Sequence, residues 1–228
     1  MKALTVLFSF LWILMPVSQA QTVDEMLGKV SSAIEAGKER PAVSYFRQAI
    51  ELDINRSEMY YWVDIDKNAD YCEDFANELA VAFKRNRNFD KAYLFYKELL
   101  QKNPDDIGYM EACAEMQLCR GQEKDALRIY EQILAADSDN LAANIFLGNY
   151  YYLLGEQEKK KLENDYRSIS SPTRMQYARY RDGLYRLFSS AYTKARESLE
   201  KVIQKFPSTE AKKTLDKIQV VEKEMNRR

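Results

Sequence analysis

The chain has 228 residues with 34 basic against 35 acidic side chains and no histidine, so it lacks both the basic surface a phosphate backbone selects and the commonest acid–base and metal-binding side chain. Seven glycines and five prolines are too few for the turns of a sandwich or barrel, and three cysteines are an odd number for an oxidised framework. The length allows one ordinary domain or one short repeat array.

Lys2, an apolar run from Ala3 to Val17 and then Ser18-Gln19-Ala20 predict a cleaved secretory signal over residues 1–20. The run is shorter than the roughly 20 residues of a membrane span, and Pro16 interrupts it. An uncleaved anchor is the alternative. No later segment is apolar enough to cross a bilayer, so no membrane span is expected after cleavage. Nucleic acid is not expected as a partner, since loss of Lys2 leaves a slight acidic excess.

Residues 21–56 predict a first helix pair, with Met26, Val30 and Ala33 before Gly37, and Ala42, Phe46 and Ala49 after it. Pro41 falls in the first turn of the second helix, where its missing N–H costs nothing. Residues 57–72 break the pattern as an insertion. Its run from Met59 to Val63 is expected to pack locally. Asp64, Asp66, Asn68 and Asp70 alternate like the opening of a calcium loop, but Ala69 stands where that loop turns on glycine and Phe75 where it needs a bidentate glutamate. A polar turn is therefore expected. The sequon Asn55-Arg56-Ser57 matters only in a eukaryotic lumen.

In residues 73–106, Ala76, Leu79, Ala80 and Phe83 mark a first helix, Asn86-Arg87-Asn88 a turn, and Ala92, Tyr96 and Leu99 a second helix that stops at Asn103-Pro104. Residues 107–140 repeat this after a step of 34 residues, with Met110, Cys113, Ala114, Gly121 at the turn, Ala126, Tyr130 and Ile133. Residues 141–175 carry Asn144, Leu147, Gly148, Tyr151 and Gly155 at the expected turn. Lys160 then stands where a small residue is expected, which predicts a displaced or longer second helix ending at Ser170-Ser171-Pro172. Residues 176–209 return to the pattern one residue late, with Gly183, Ala195, Leu199, Val202 and Pro207, and residues 210–228 form a final amphipathic helix through Ala211, Leu215, Ile218, Val221 and Met225. Among the cysteines, Cys113 reads as a buried thiol, and Cys113 and Cys119 cannot pair within one helix.

This pattern resembles the tetratricopeptide repeat family, in which small residues on both helices let them approach and a large aromatic fills the space beside them. The packing positions are Ala80, Ala92, Tyr96, Ala114, Ala126, Tyr130, Gly148, Tyr151, Gly183 and Ala195. The resemblance implies an all-α, right-handed superhelical solenoid closed by a C-terminal helix, whose first helices line a concave groove that docks a peptide or partner. Offset from the packing face, that groove is expected to hold Asn77, Val81, Lys84 and Arg85, then Glu111, Glu115 and Leu118, then Ile145, Asn149 and Tyr152, then Tyr180, Leu184 and Leu187. It runs from ionic to apolar. Lys84, Arg85 and Asn149 have the chemistry of the family's carboxylate clamp, but Glu111 and Glu115 would stand between them, so no clamp is expected.

Ser198 and Lys201 have the Ser-x-x-Lys spacing, yet they lie in a repeat helix without the companion motifs and read as a solvated face. No nucleophile elbow, phosphate loop or paired Cys-x-x-Cys occurs, so neither an enzyme nor a cofactor or metal site is expected. The expectation is an exported scaffold for a protein or peptide partner, in the periplasm of a Gram-negative bacterium or secreted, with assembly of envelope complexes as one setting. A calcium-stabilised structural module and a carboxylate-based enzyme are the rival readings.

Overall fold

The computed structural model describes residues 22–226, so the expected signal and its cleavage position lie outside the described residues. Its contacts divide the chain into two units, one ending at Ala82 and the other beginning at Phe83. Each is taken by itself.

In the first unit, α1 (Val23–Glu35) opens with a reciprocal cap, the Glu25 amide donating to Thr22 Oγ1 and the Thr22 amide to the Glu25 carboxylate. Its buried stripe of Met26, Leu27, Val30 and Ala33 packs on Ala42, Phe46, Ala49 and Ile50 of α2 (Glu39–Leu52). Between the two helices Gly37 adopts φ 65°, a conformation that a Cβ would strain. Residues expected as an insertion begin inside a further helix, α3 (Ile54–Val63), whose first amides are capped by Asp53. α3 packs on both α1 and α2, and α4 (Cys72–Arg85) follows a polar turn. Aromatic edges fill this core: the Phe46 and Phe75 rings lie 4.5 Å apart, and the buried Tyr61 hydroxyl is 3.3 Å from Cys72 Sγ. The expected local packing of the 59–63 run holds for two of its five residues. Tyr60 and Tyr61 are buried, whereas Met59, Trp62 and Val63 face water.

In the second unit, α4 ends and Arg87 turns the chain at φ 58° into α5 (Phe89–Lys102), capped by Asn88. α6 (Ile107–Cys119) and α7 (Glu123–Ala136) form a hairpin about Gly121, which sits at φ 75°. Ala114 and Ala126 are fully buried in that contact, which lets the two backbones approach.

The expected turn at Gly155 does not occur. α8 runs unbroken from Leu141 to Arg167, and Gly155 is a buried helical residue beneath the ring of Tyr192, where an added Cβ would lie 2.9 Å from Tyr192 Cζ. The chain reverses only at 168–173, just before α9 (Arg174–Leu187), and it then continues without a break through one π-helical turn (Phe188–Tyr192) into α10 (Thr193–Lys205). The boundary expected at 175/176 therefore falls inside α9. The two chain segments lie along each other, α9 and α10 both packing on α8. Gly148 meets Leu199 of α10, while Gly183 meets Leu162 instead. Lys201 Nζ reaches back 2.8 Å to the Ser138 carbonyl before α8. The start of α8 is thus completed as a repeat by α10, and 153–192 form an extended helical hairpin inserted where the repeat's inner turn would be. α11 (Thr209–Asn226) packs on α10 and α9, burying Ala211, Ile218 and Met225.

Candidate functional site: exposed helix faces and an aromatic cavity

Asn77, on α4 in the first unit, is half-buried, and Val81 on the same helix is exposed. In the second unit the expected groove residues separate into three settings.

The first is ionic. Lys84 Nζ donates to Glu115 Oε2 at 2.6 Å, with both side chains partly exposed, so the pair contributes at most about 1 kcal/mol. Arg85 is exposed at the end of α4. Glu111 serves the fold: it accepts from Asn140 Nδ2 at 2.7 Å, while Asn140 Oδ1 caps α8 by accepting from the Ala143 amide. The phenols of Tyr96 and Tyr130 are displaced upward in their ionisation, first by burial and then by the Glu115 charge, to which Glu111 adds at Tyr130.

The second is an open stretch of α8. Asn144, Leu147 and Gly148 are consumed by packing, and Asn144 Nδ2 donates to the Asn140 and Ser138 carbonyls. Ile145 and Asn149, one turn apart on the other side, stay exposed. Tyr152 does not belong with them. Its ring stands edge-on to Tyr192 at 6.3 Å and, partly buried, packs against the core.

The third is a cavity of about 270 Å³ in the inserted hairpin. Tyr180, Leu184 and Leu187 face it, together with Tyr177, Tyr192 and, from α11, Val221 and Met225. Tyr180 stacks on Tyr166 at 4.6 Å. At its rim burial alone would depress the Lys159 ammonium, but its hydrogen bond to Glu224 and the nearby Glu163 and Glu156 carboxylates hold it above its ordinary range. Arg181 donates to the Met225 carbonyl near the end of α11, which fastens that helix over the cavity. Burial and a hydrogen bond donated to Glu156 push the Tyr192 phenol far up. Sequence offsets reached Tyr180 and Leu184, but Val221, Met225 and Glu224 come from a helix read only as a cap.

Ser198 and Lys201 are not on a solvated face: Ser198 is buried and Lys201 is engaged with the Ser138 carbonyl. Cys72 and Cys113 are buried, Cys119 is exposed, and no disulfide occurs among the described residues. Burial pushes the Cys113 thiol up to about 11, which leaves it inert. Asp66 Oδ1 accepts from the Asn68 amide in a polar turn, and among the described residues no three acidic, cysteine or histidine side chains converge to hold a metal ion. No helix among them is long and apolar enough to cross a membrane.

No family model and no curated protein matches the chain. A crystal structure from Bacteroides ovatus, of a protein to which protein binding is assigned provisionally, is 69% identical, covers 90% of this chain and 100% of its own, and superposes with a TM-score of 0.86. This chain belongs to one family with that protein. Tetratricopeptide repeat proteins from Parabacteroides merdae and Bacteroides fragilis also match, at 14% and 13% identity with TM-scores of 0.39 and 0.38, over 90% and 88% of this chain and 75% and 99% of theirs. Within the second unit the expected packing positions Ala92, Ala114, Ala126 and Ala195 are fully buried, Tyr96 and Tyr130 nearly so, and Tyr151 is half-buried, its hydroxyl donating to Glu131. Ala80, in the first, is fully buried too.

Proposed function

We propose that this chain is an exported protein-interaction scaffold of tetratricopeptide-like repeats that docks a peptide or partner segment along the exposed side of α6 and α8. The single observation carrying this reading is the division of labour on α8: packing takes Asn144, Leu147 and Gly148, and leaves Ile145 and Asn149 presented to water one turn apart. That is the spacing an extended or helical guest meets as successive contacts. The Bacteroides ovatus relative supports a binding role rather than a catalytic one. The Lys84–Glu115 pair sets the ionic end of the surface.

Crosslinking capture from an envelope extract tests it. Ile145→Asp/Asn149→Asp is expected to lose a protein that the unaltered chain retains, and undiminished capture would count against the reading. Export is tested separately by sequencing the amino terminus of the protein from the periplasmic fraction. Gln21 is the expected first residue, and Met1 there would remove the signal assignment.

A further inference from the structure

We infer that the outer face of α3 is a docking surface for a cationic, amphipathic segment of another protein. α3 turns Tyr60 and Tyr61 inward. On its other side Met59, Trp62 and Val63, at positions i, i+3 and i+4, are 50%, 44% and 75% exposed, and Leu52, just before this helix, is 50% exposed. Single exposed hydrophobes are ordinary, but a one-sided apolar stripe on a helix outside the repeat pattern marks an interaction face. Tryptophan and methionine are among the side chains that anchor such faces.

The charge around the stripe selects what covers it. From Glu51 to Asp74 the chain has eight carboxylates against two cations, Arg56 and Lys67. Both cations are engaged within the unit. Arg56 Nε is 3.1 Å from Asp24, and Lys67 Nζ donates to the Tyr61 carbonyl at 2.8 Å. Asp64, Asp66 and Asp70 are exposed on the turn that follows α3. An acidic partner or an anionic lipid surface is repelled by this field, whereas lysines and arginines flanking an apolar anchor complement it. The structure holds a small version of that contact, with the Lys67 ammonium 4.5 Å from the centre of the Trp62 ring. A partner's apolar side chains would sit on Met59, Trp62 and Val63 with its cations toward the aspartates.

Trp12 lies in the expected signal, so in the exported chain Trp62 is the one tryptophan and its emission reports on this face. The probe is a leucine–lysine amphipathic peptide, with a leucine–glutamate peptide of the same pattern as control. The lysine peptide is expected to shift Trp62 emission to the blue, to bind about tenfold or more tighter than the glutamate peptide, and to weaken as salt rises. Met59→Ser/Val63→Ser changes neither charge nor reporter and is expected to weaken binding about tenfold at an unchanged melting temperature. In Trp62→Ser, anisotropy of a labelled lysine peptide should show the same loss. Unchanged emission, equal affinity for both peptides, or full binding by Met59→Ser/Val63→Ser overturns the proposal. Dimerisation that the same variant abolishes would also overturn it, by making a second copy the occupant.

Discussion

Gly121 and Gly155 stand at the same place in successive copies of the repeat, 34 residues apart, and the chain treats them oppositely. At Gly121 the backbone enters the left-handed region, the Gly121 and Gln122 amides bond back to the Leu118 and Gln117 carbonyls, and α7 folds against α6. At Gly155 the helix continues, because Glu156, Gln157, Glu158 and Lys159 are good helix formers and Tyr192 arrives to cover the glycine. A glycine permits a turn without demanding one. What packs on it decides.

The sharpest way to break this contrast is to fill the space at Gly155. Gly155→Leu should drive the side chain into the Tyr192 ring and destabilise by about 3 kcal/mol, read by denaturant unfolding. If Gly155 tolerates leucine, the close packing of the inserted hairpin is wrong. Gly121→Ala should cost less, about 1–2 kcal/mol, and for a different reason: nothing lies near its Cβ, but φ 75° strains any L residue. Tyr192→Phe removes a hydrogen bond to Glu156 and should cost about 1 kcal/mol.

The same tyrosine gives the inserted hairpin a pH signature. Its phenol titrates well above the ordinary value of 10.0 when folded, so the unfolded chain loses this proton first. Its contribution is complete below about pH 10 and declines as pH rises beyond it, and Tyr151, pushed up to about 12 by burial and Glu131, adds to the decline. Tyr192→Phe should flatten the alkaline loss in a melting series, and an unaltered slope would remove the assignment. Lys84→Gln should change stability by about 1 kcal/mol or less, since its ion pair with Glu115 is exposed to solvent on both sides.

The regular part of the array is legible because Ala114 and Ala126 carry their packing role in their spacing. The inserted hairpin is not, because the twelve-residue interval between Gly183 and Ala195 copies that of Ala114 and Ala126 while the contacts differ: Gly183 meets Leu162, and Gly148 takes the place on α10. Spacing within one segment says nothing of which distant segment covers it. The same holds for the surface. Lys84, Glu111 and Glu115 can be read as charged helix positions, but the engagement of Glu111 with the cap of α8 depends on where Asn140 falls in space. Tyr180 and Leu184 point into a cavity whose other wall is α11, which no offset from the repeat would supply.

The contact between Gly148 and Leu199 has a bearing on how the chain is made. Hairpins such as α6 and α7 close over short sequence separations and can form as soon as they leave the ribosome. The side of α8 around Gly148 must wait until α10, which begins at Thr193, has been synthesised before it is covered. Through that interval Leu147 already has Ala126 and Tyr130 of the preceding hairpin, while Gly148 lacks Leu199 and Tyr151 lacks the Lys194 that stands over its ring. The last repeat therefore closes late in synthesis, the stage at which a chaperone or the partner itself would find that side of α8 uncovered.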